Sequence, residues 1–349
     1  MFDLNKLVRD NVKALKPYSC ARDEYHGSDG IFLDANENPY GDLNRYPDPY
    51  QKDLKASISN IKGVPENMIF LGNGSDEIID LCFRIFCKPG NDKALTFSPS
   101  YGMYEVSASA NDVSIIRIPL DENFQVNFDD VMPWLSDAAL KLILICSPNN
   151  PTGNCIDRNV LEQIIINFDG IVLVDEAYID FADKPSLLDR ITSFRNLIVM
   201  QTFSKAFGLA SVRVGMAFTN PDIIHYFNKI KPPYNISTIN QKAVLQKLVK
   251  IDEYKIQVRK IREERERLTA ALGKLPFIKQ IFPSDANFLL IRVKDAGFIY
   301  NTLADRGIIV RNRSSVVNNC LRITIGTKTE NNELIKALKT IADEEGTLY

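Results

Sequence analysis

Histidine and closely paired cysteines are scarce in this 349-residue sequence. Its two histidines, His26 and His225, are far apart, and its six cysteines include no C-x-x-C spacing. A tetrahedral zinc site needs Cys and His ligands at short spacing, and a Ser–His–Asp triad needs a histidine base. We therefore expect no metal site and no histidine-based triad. Small buried hydrophobes are the expected role of the cysteines, which are Cys20, Cys82, Cys87, Cys146, Cys155 and Cys320.

Long apolar runs and an excess of one charge are also absent. No stretch approaches the roughly 18 consecutive apolar residues that a membrane-spanning helix requires. Residues 1–15 lack the unbroken apolar segment of a signal peptide. With 42 Lys and Arg against 44 Asp and Glu, the formal net charge is −2, which supplies no field for a polyphosphate. These absences predict a cytoplasmic protein with neither a membrane nor a nucleic acid as its partner.

The composition is that of an ordinary globular protein, with 45% hydrophobic and 25% charged residues. At roughly 150 residues per domain, the length favours two domains. Between residues 68 and 218, short apolar runs alternate with helical stretches, and several runs are apolar on both faces. This alternation predicts an α/β domain with a mostly parallel central sheet flanked by helices. The predicted strands are Met68–Leu71, Ala94–Phe97, Val113–Ile118, Leu142–Cys146, Ile171–Val174, Leu197–Gln201 and Val214–Phe218.

The pattern changes near residue 236. Ile236–Leu275 has nearly continuous helical character, and a smaller α+β region follows it. A long helix that joins a large domain to a small one leaves a cleft between them, where ligands commonly bind. The elements predicted for the small region are strands at Asn287–Val293, Ile308–Arg311 and Leu321–Ile325 and helices near Ala296–Asp305 and Glu330–Glu344.

The segment Gly72–Glu77 follows a predicted strand and opens a helix. Free backbone N–H groups at a helix start, with glycines that allow close approach, form an anion site suited to phosphate. The segment lacks the third glycine of G-x-G-x-x-G and the lysine of a Walker loop. Taken alone, it is equally compatible with a simple helix cap at Ser75 or Asp76.

Three further polar clusters follow predicted strands, at Ser147–Gly153, Asp175–Tyr178 and Thr202–Gly208. Each is compatible with a turn or a cap, but α/β sheets place ligand contacts at the carboxyl ends of their strands. Lys205, among small residues at the end of a buried strand, should have a lowered pKa and therefore a nucleophilic amine. Arg213 lies eight residues beyond it.

Together the four clusters supply a phosphate-binding loop, an amide, a carboxylate with a tyrosine, and a lysine with an arginine. Pyridoxal 5′-phosphate needs a lysine for its Schiff base, an acid opposite its pyridine nitrogen, donors to its phenolate oxygen and a phosphate cradle. The clusters therefore jointly predict a pyridoxal-phosphate enzyme, although no single one is decisive.

The order of the motifs resembles aminotransferase classes I and II among the fold-type I pyridoxal-phosphate enzymes. Nearly the whole chain resembles the histidinol-phosphate aminotransferase family within that group. The resemblance implies an N-terminal arm (1–35) packing with the small domain, a large cofactor-binding α/β domain (36–250) and a small C-terminal α+β domain (251–349). The motifs that carry it are Lys16–Tyr18, Leu33–Pro39, Asn44–Asp48, Pro99–Tyr104, Pro148–Gly153, Asp175–Tyr178, Ser204–Arg213, Arg311 and Leu321–Thr327.

The resemblance also implies roles for individual residues. Lys205 would carry the cofactor and move a proton between the substrate Cα and the cofactor. Asp175 would keep the pyridine nitrogen protonated. Asn150 and Tyr178 would donate hydrogen bonds to the phenolate oxygen, and Tyr101 would stack on the ring.

Arginines dominate the implied phosphate and substrate contacts, because the guanidinium fork suits both carboxylate and phosphate. Arg322 is expected to bind the acidic group of the substrate, with Arg311 and Tyr18 at the substrate phosphate. The implied ligands of the cofactor phosphate are the backbone amides of Ser75 and Asp76, the side chains of Ser204 and Arg213, and the partner subunit's Tyr46 in a homodimer.

The implied activity is transamination of L-histidinol phosphate with 2-oxoglutarate to imidazole-acetol phosphate and L-glutamate, a step of L-histidine biosynthesis. Two enzyme alternatives stay open: an aromatic or broad-specificity aminotransferase, and a relative of threonine-phosphate decarboxylase. A non-catalytic regulator is a third alternative. The presence of Lys205, Asp175 and Arg213 weighs against it, because a regulator has no need of a Schiff-base lysine.

Overall fold

A seven-stranded sheet forms the centre of the computed structural model, which describes residues 2–18 and 30–346. Its strands are β1 (Ile69–Gly72), β2 (Lys93–Ser98), β3 (Ser114–Pro119), β4 (Leu140–Cys146), β5 (Ile171–Asp175), β6 (Leu197–Thr202) and β7 (Gly215–Phe218). They lie in the order β1-β7-β6-β5-β4-β2-β3, and within this sheet β7 alone runs antiparallel to its neighbours. The predicted α/β domain with a mostly parallel sheet is confirmed.

Helices cover both faces of this sheet. Along β5, Val172 and Val174 enter one hydrophobic core, whereas Ile171 and Leu173 enter the core on the opposite face. Burial on both faces accounts for the continuous apolar runs in the sequence. In the described ranges, none of the helices is long and apolar enough to cross a membrane. The helices up to residue 249 are α1 (Leu4–Leu7), α2 (Asp10–Ala14), α3 (Lys52–Lys62), α4 (Ser75–Phe86), α5 (Met103–Ala110), α6 (Phe128–Val131), α7 (Arg158–Asn167), α8 (Pro221–Ile230) and α9 (Thr238–Val249).

The N-terminal helices α1 and α2 pack on the large domain. Leu4, Val8 and Val12 join the same hydrophobic core as α4 and α8. The backbone N–H of Arg9 donates a hydrogen bond to the last turn of α4 at 3.0 Å. For residues 4–12, this placement differs from the expectation that the arm 1–35 packs with the small domain, because their apolar face, repeated every four residues, is buried against α4 and α8.

A separate four-stranded antiparallel sheet forms the small domain. Its strands β8 (Ile278–Ile281), β9 (Phe288–Val293), β10 (Arg311–Asn312) and β11 (Cys320–Thr324) lie in the order β10-β11-β9-β8. Helices α10 (Ile251–Leu272), α11 (Ala296–Asp305) and α12 (Lys328–Gly346) complete its own hydrophobic core. A smaller α+β domain at the C-terminal end is therefore confirmed.

Two predicted elements differ from the observed ones. The continuous helix expected over Ile236–Leu275 is divided at Lys250 into α9 and α10. The strand expected at Ile308–Arg311 pairs only from Arg311, because Gly307 is left-handed and the N–H of the following isoleucine donates back to the end of α11. This short pairing sets Arg311 directly opposite Arg322.

The cysteines mostly agree with their expected role. Cys82, Cys87, Cys146 and Cys320 are buried, whereas Cys155 is only partly buried and its backbone N–H donates to the carboxylate of a nearby aspartate. The expectation of burial is therefore wrong for Cys155. Cys20 and His26 lie outside the described residues.

Candidate active site

A cavity of about 530 Å³ opens at the carboxyl ends of three neighbouring strands, between the large and small domains. Cys146, Asp175 and Thr202, the last residues of β4, β5 and β6, all line it. Ligands of α/β proteins bind at this edge of the sheet. The sequence-predicted site residues that line the cavity are Ser75, Asp76, Tyr101, Asn150, Asp175, Tyr178, Ser204, Lys205, Arg213, Arg311 and Arg322.

Asp175 ends β5 and is only 3% exposed. Tyr104 Oη donates to one carboxylate oxygen at 2.9 Å, and the backbone N–H of Ala177 donates to the other at 3.0 Å. Burial nevertheless raises the pKa of Asp175 to about 6, and these hydrogen bonds oppose that rise only in part. A cationic N–H placed against this carboxylate would stabilise its ionised form.

Lys205 follows β6 and reaches into the same cavity. Its side chain is open to solvent through the cavity, so it is more exposed than a position after a buried strand suggests. The surrounding protein still desolvates the ammonium group, and Arg322 repels it, so the pKa of Lys205 is lowered. Its Nζ lies 5.6 Å from the centre of the Tyr178 ring. A lowered pKa increases the fraction of free amine, the form that attacks carbonyl groups.

Asn150 and Tyr178 connect this site to the small domain. Asn150 Nδ2 lies 3.4 Å from Tyr178 Oη, and Asn150 Oδ1 accepts a hydrogen bond from Arg322. The Phe288 ring meets Tyr178 edge-on at 5.1 Å and lies 5.3 Å from the Arg322 guanidinium. Burial also raises the pKa of Tyr178, so its hydroxyl stays protonated and able to donate. The position of the small domain therefore determines where Arg322 lies relative to Lys205.

The start of α4 forms an anion site. Gly74 precedes the helix with a φ of 73°, and no side chain caps the helix, so Ser75 and Asp76 do not act as the cap. Their backbone N–H groups are in the first turn, which has no intrahelical acceptors. A β-carbon on Gly74 would lie 2.4 Å from the Arg213 guanidinium, and one on Gly215 would lie 2.6 Å from the Gly74 backbone. Gly74 is therefore required for its positive φ, and Gly215 is required for its close contact with the Gly74 backbone.

Side-chain contacts hold the groups around the anion site. Arg213 Nη2 lies 3.5 Å from one Asp76 carboxylate oxygen, and Tyr101 Oη lies 3.3 Å from the other. Arg213 also donates to the Ala210 carbonyl at 3.2 Å, and the Ser204 backbone N–H donates to a threonine hydroxyl at the end of β6. A phosphate at the helix start would thus meet free N–H groups and an oriented guanidinium.

The small domain contributes three arginines to the cavity: Arg311, Arg313 and Arg322. Arg311 and Arg322 are cross-strand neighbours on β10 and β11. Within residues 2–18 and 30–346, none of the three forms an ion pair with a carboxylate. Their charges are therefore available to an anionic ligand.

Tyr18 and Tyr46 are not part of the cavity around Lys205. Tyr18 is 72% exposed. Tyr46 stacks on Tyr234 with ring centres 4.4 Å apart and lines a second cavity, formed by residues 35–48 and 237–242. Within a single chain, the two tyrosines therefore stand apart from the other predicted site residues.

Sequence reasoning misses two residues of the site, Tyr104 and Arg313. Tyr104 is fully buried beneath Asp175, with its ring edge-on to Tyr101 at 5.5 Å. The sequence does contain a signal for Tyr104, because residues three apart at a helix start share a face and Tyr104 follows Tyr101 by three positions. Arg313 follows Arg311 by two residues in an extended segment, a spacing that places both side chains on one side of the strand.

The donor set matches the requirements of pyridoxal 5′-phosphate. A buried carboxylate, a lysine of lowered pKa, a phenol beside an amide, and a helix start beside a guanidinium all face one cavity. In the described part of the chain, the hydrogen bonds to Asp175 come from a phenol and a neutral amide. A protonated pyridine nitrogen would supply the cationic donor. The residues present therefore fit this cofactor.

Comparison with known proteins gives matches over nearly the whole chain. Residues 31–338 match the aminotransferase class I and II family. A histidinol-phosphate aminotransferase of Parabacteroides distasonis is 52% identical, over 98% of this chain and 99% of its own length. A match of this extent spans both domains.

Solved structures share the fold. The histidinol-phosphate aminotransferase from Clostridium acetobutylicum has a TM-score of 0.80 at 27% identity, covering 86% of this chain and 92% of that one. The one from Sinorhizobium meliloti, solved in complex with pyridoxal-5′-phosphate, has a TM-score of 0.78 at 24% identity, covering 87% and 84%. By its sequence, its sheet topology and its relatives, the chain belongs to the class I and II aminotransferases, within the histidinol-phosphate aminotransferase family.

Proposed function

We propose that this enzyme uses pyridoxal 5′-phosphate to interconvert L-histidinol phosphate and 2-oxoglutarate with imidazole-acetol phosphate and L-glutamate, in L-histidine biosynthesis. The observation that carries the proposal is a single cavity where Lys205 and Asp175 face the three arginines of the small domain, none of which has a carboxylate partner in the described residues. The 52% identity to a relative named for this substrate supports it.

The large domain would bind and orient the cofactor, which when bound supplies a ring that withdraws electrons from the substrate Cα. Asp175, held by Tyr104, would keep the pyridine nitrogen protonated through a charge-assisted hydrogen bond. The start of α4, Ser204 and Arg213 would hold the phosphate. Tyr101, fixed by its contact with the first turn of α4, would pack against the ring.

Lys205 is the proposed covalent anchor and proton-transfer group. Its lowered pKa leaves a larger share of neutral amine, which can accept the proton from the substrate Cα. Tyr178 and Asn150 would donate hydrogen bonds to the phenolate oxygen of the cofactor. Asn150 also accepts from Arg322, so the same residue links the cofactor side of the cavity to the substrate side.

The small domain would recognise the charged ends of the substrates. One half-reaction presents a phosphate monoester and the other a dicarboxylate, and the guanidinium fork binds both kinds of oxygen pair. Arg322 is proposed to bind the acidic group nearest the reacting carbon. Arg311 and Tyr18 are proposed to assist at the substrate phosphate.

The proposed active unit is a homodimer with shared sites. Tyr46 lies outside the Lys205 cavity of its own chain, and the neighbouring Pro47 and Pro49 favour an extended segment that can cross a subunit boundary. The partner subunit's Tyr46 would complete the set of ligands around the cofactor phosphate.

A decarboxylase for a phosphorylated amino acid would use similar arginines, so the test must identify the product. The purified enzyme loaded with cofactor is given L-histidinol phosphate with 2-oxoglutarate in one assay and L-threonine O-3-phosphate in a second. Glutamate formation is measured in the first assay and carbon dioxide release in the second. We expect glutamate without carbon dioxide. Carbon dioxide release from phosphorylated amino acids without glutamate formation would contradict the proposal.

Lys205→Ala should reduce glutamate formation by at least about a hundredfold, because one side chain serves as both anchor and base. Lys184→Ala, which removes an exposed lysine of the same domain, is the matched control and should leave the rate unchanged. Wild-type turnover by Lys205→Ala would refute the role of this lysine.

A further inference from the structure

Arg313 is a partly buried arginine in the wall of the active-site cavity. Its Nε is shielded from solvent and has no hydrogen-bond partner in the described ranges. An N–H donor on a charged group that is buried without an acceptor is costly, so native structures seldom retain one without a reason. The unpaired Nε therefore implies that a bound ligand supplies the hydrogen-bond acceptor.

The surroundings of Arg313 are positively charged. Desolvation lowers its pKa, and the charges of Arg322 and Arg311 lower it further. Two hydrogen bonds fix the backbone of Arg313. Its N–H donates to the Cys320 carbonyl at 2.8 Å, and its own carbonyl accepts from the backbone N–H of Val317 at 2.9 Å. The turn after β10 thus keeps Arg313 in the same cavity wall as Arg311 and Arg322 despite the repulsion between their charges. An anion between them would relieve that repulsion.

We infer that Arg313 is a specificity-determining residue that binds the phosphate of the substrate as a dianion, together with Arg311 and Arg322. The inference rests on the proposed function. A carboxylate has two oxygens and one charge, which a single guanidinium fork can satisfy. A phosphate monoester has three terminal oxygens and a charge of about −1.5 to −2. Arg313 should therefore matter for the phosphorylated substrate and much less for glutamate.

The cofactor phosphate is not the expected ligand of Arg313. That phosphate is assigned to the start of α4 and Arg213 in the large domain, whereas Arg313 belongs to the small domain. The sequence spacing agrees, because Arg311 and Arg313 lie on the same side of an extended segment.

The test compares Arg313→Gln and Arg313→Lys with wild type, each loaded with cofactor. Arg292→Gln is the matched control, because Arg292 lies on β9 outside the cavity, where it donates to Gln280 at 3.1 Å. KM and kcat are measured for L-histidinol phosphate, for unphosphorylated L-histidinol and for L-glutamate. Competitive inhibition of the glutamate half-reaction by inorganic phosphate supplies an independent measure of anion binding.

For Arg313→Gln we expect KM for L-histidinol phosphate to rise about ten- to hundredfold, the usual effect of losing a charge-assisted hydrogen bond. We expect kcat for that substrate and KM for glutamate to change by less than about threefold, and inhibition by inorganic phosphate to weaken in parallel. The KM of Arg313→Lys for L-histidinol phosphate should lie between those of wild type and Arg313→Gln, because lysine keeps the positive charge and lacks the guanidinium fork. Arg292→Gln should match wild type.

Failure of the inference and failure of the proposed function give different results. If wild type accepts L-histidinol as readily as L-histidinol phosphate, the proposed substrate is wrong. If wild type prefers the phosphorylated substrate and Arg313→Gln retains the whole preference, Arg313 does not bind the phosphate. Should Arg313→Gln fail to fold, as judged by its thermal midpoint, Arg313→Lys decides the question: an unchanged KM for L-histidinol phosphate overturns the inference.

Discussion

Asp175 is a carboxylate in the protein interior whose ionised form is unfavourable until a cation faces it. Its pKa is about 6 in the fold against 3.8 for an ordinary aspartate. The folded chain therefore binds this proton more tightly than the unfolded chain, so stability falls as pH rises from about 4 to 6. Above that window the ionised carboxylate costs roughly 3 kcal/mol, at 1.36 kcal/mol per pH unit.

Asp175→Asn should accordingly stabilise the cofactor-free protein at pH 8. The gain should reach up to about 3 kcal/mol and should vanish below about pH 3, where the carboxyl group is protonated in both states. Urea unfolding at the two pH values measures it. The same variant should have greatly reduced transaminase activity, because a neutral amide cannot hold the pyridine nitrogen protonated. A stability gain equal at both pH values would show that the charge is not its origin.

The start of α4 depends on close contact with β7, and Gly215 provides it. A β-carbon there would lie 2.6 Å from the Gly74 carbonyl carbon and 2.7 Å from the Ser75 nitrogen. Gly215→Ala should push the phosphate-binding turn away from the sheet, weaken cofactor binding about tenfold or more and lower the thermal midpoint. Gly273→Ala, whose new methyl group would meet its nearest neighbour at 3.5 Å, is the control. Wild-type cofactor affinity in Gly215→Ala, measured by absorbance titration, would contradict this account.

Some secondary-structure elements can be predicted from the sequence and others cannot. The central strands β4, β5 and β6 are predictable because helices on both faces require uninterrupted apolar runs. The break at Lys250 is not, since neither glycine nor proline marks it and tertiary packing alone turns the chain there. The short pairing of β10 likewise depends on how the turn at Gly307 closes on α11.

The proposed homodimer can be tested by mixing two chains, each of which carries a substitution that impairs the active site. In a Lys205→Ala/Tyr46→Phe heterodimer with shared sites, one site carries both lesions and the other carries neither. Activity should therefore rise on mixing, toward one wild-type site per heterodimer, which is about half the activity of a wild-type dimer. If each chain used its own Tyr46, mixing would give only the average of the two variants. Subunit exchange is verified separately with affinity-tagged chains.

At the scale of the molecule, the sequence predicts the edge of the sheet where the site lies but not all that surrounds it. Lys205, Asp175 and Asn150 can be placed together because each follows a strand of one parallel sheet. Tyr104 cannot be placed so simply, since its hydroxyl reaches Asp175 from a helix rather than from a strand end. The packing of α1 and α2 on the large domain also cannot be predicted from the sequence, because an apolar helix face does not show which surface it packs against.

The active-site cavity is positively charged although the net charge of the protein is slightly negative. The net charge is −2, yet five cationic side chains and only two carboxylates line the active-site cavity. Near the opening of the cavity, these side chains produce a positive potential that extends about 8 Å into solution at physiological ionic strength. Such a field raises the frequency of productive encounters and fades as salt is added. The rate at which anionic reactants associate with the enzyme should therefore fall as the salt concentration rises.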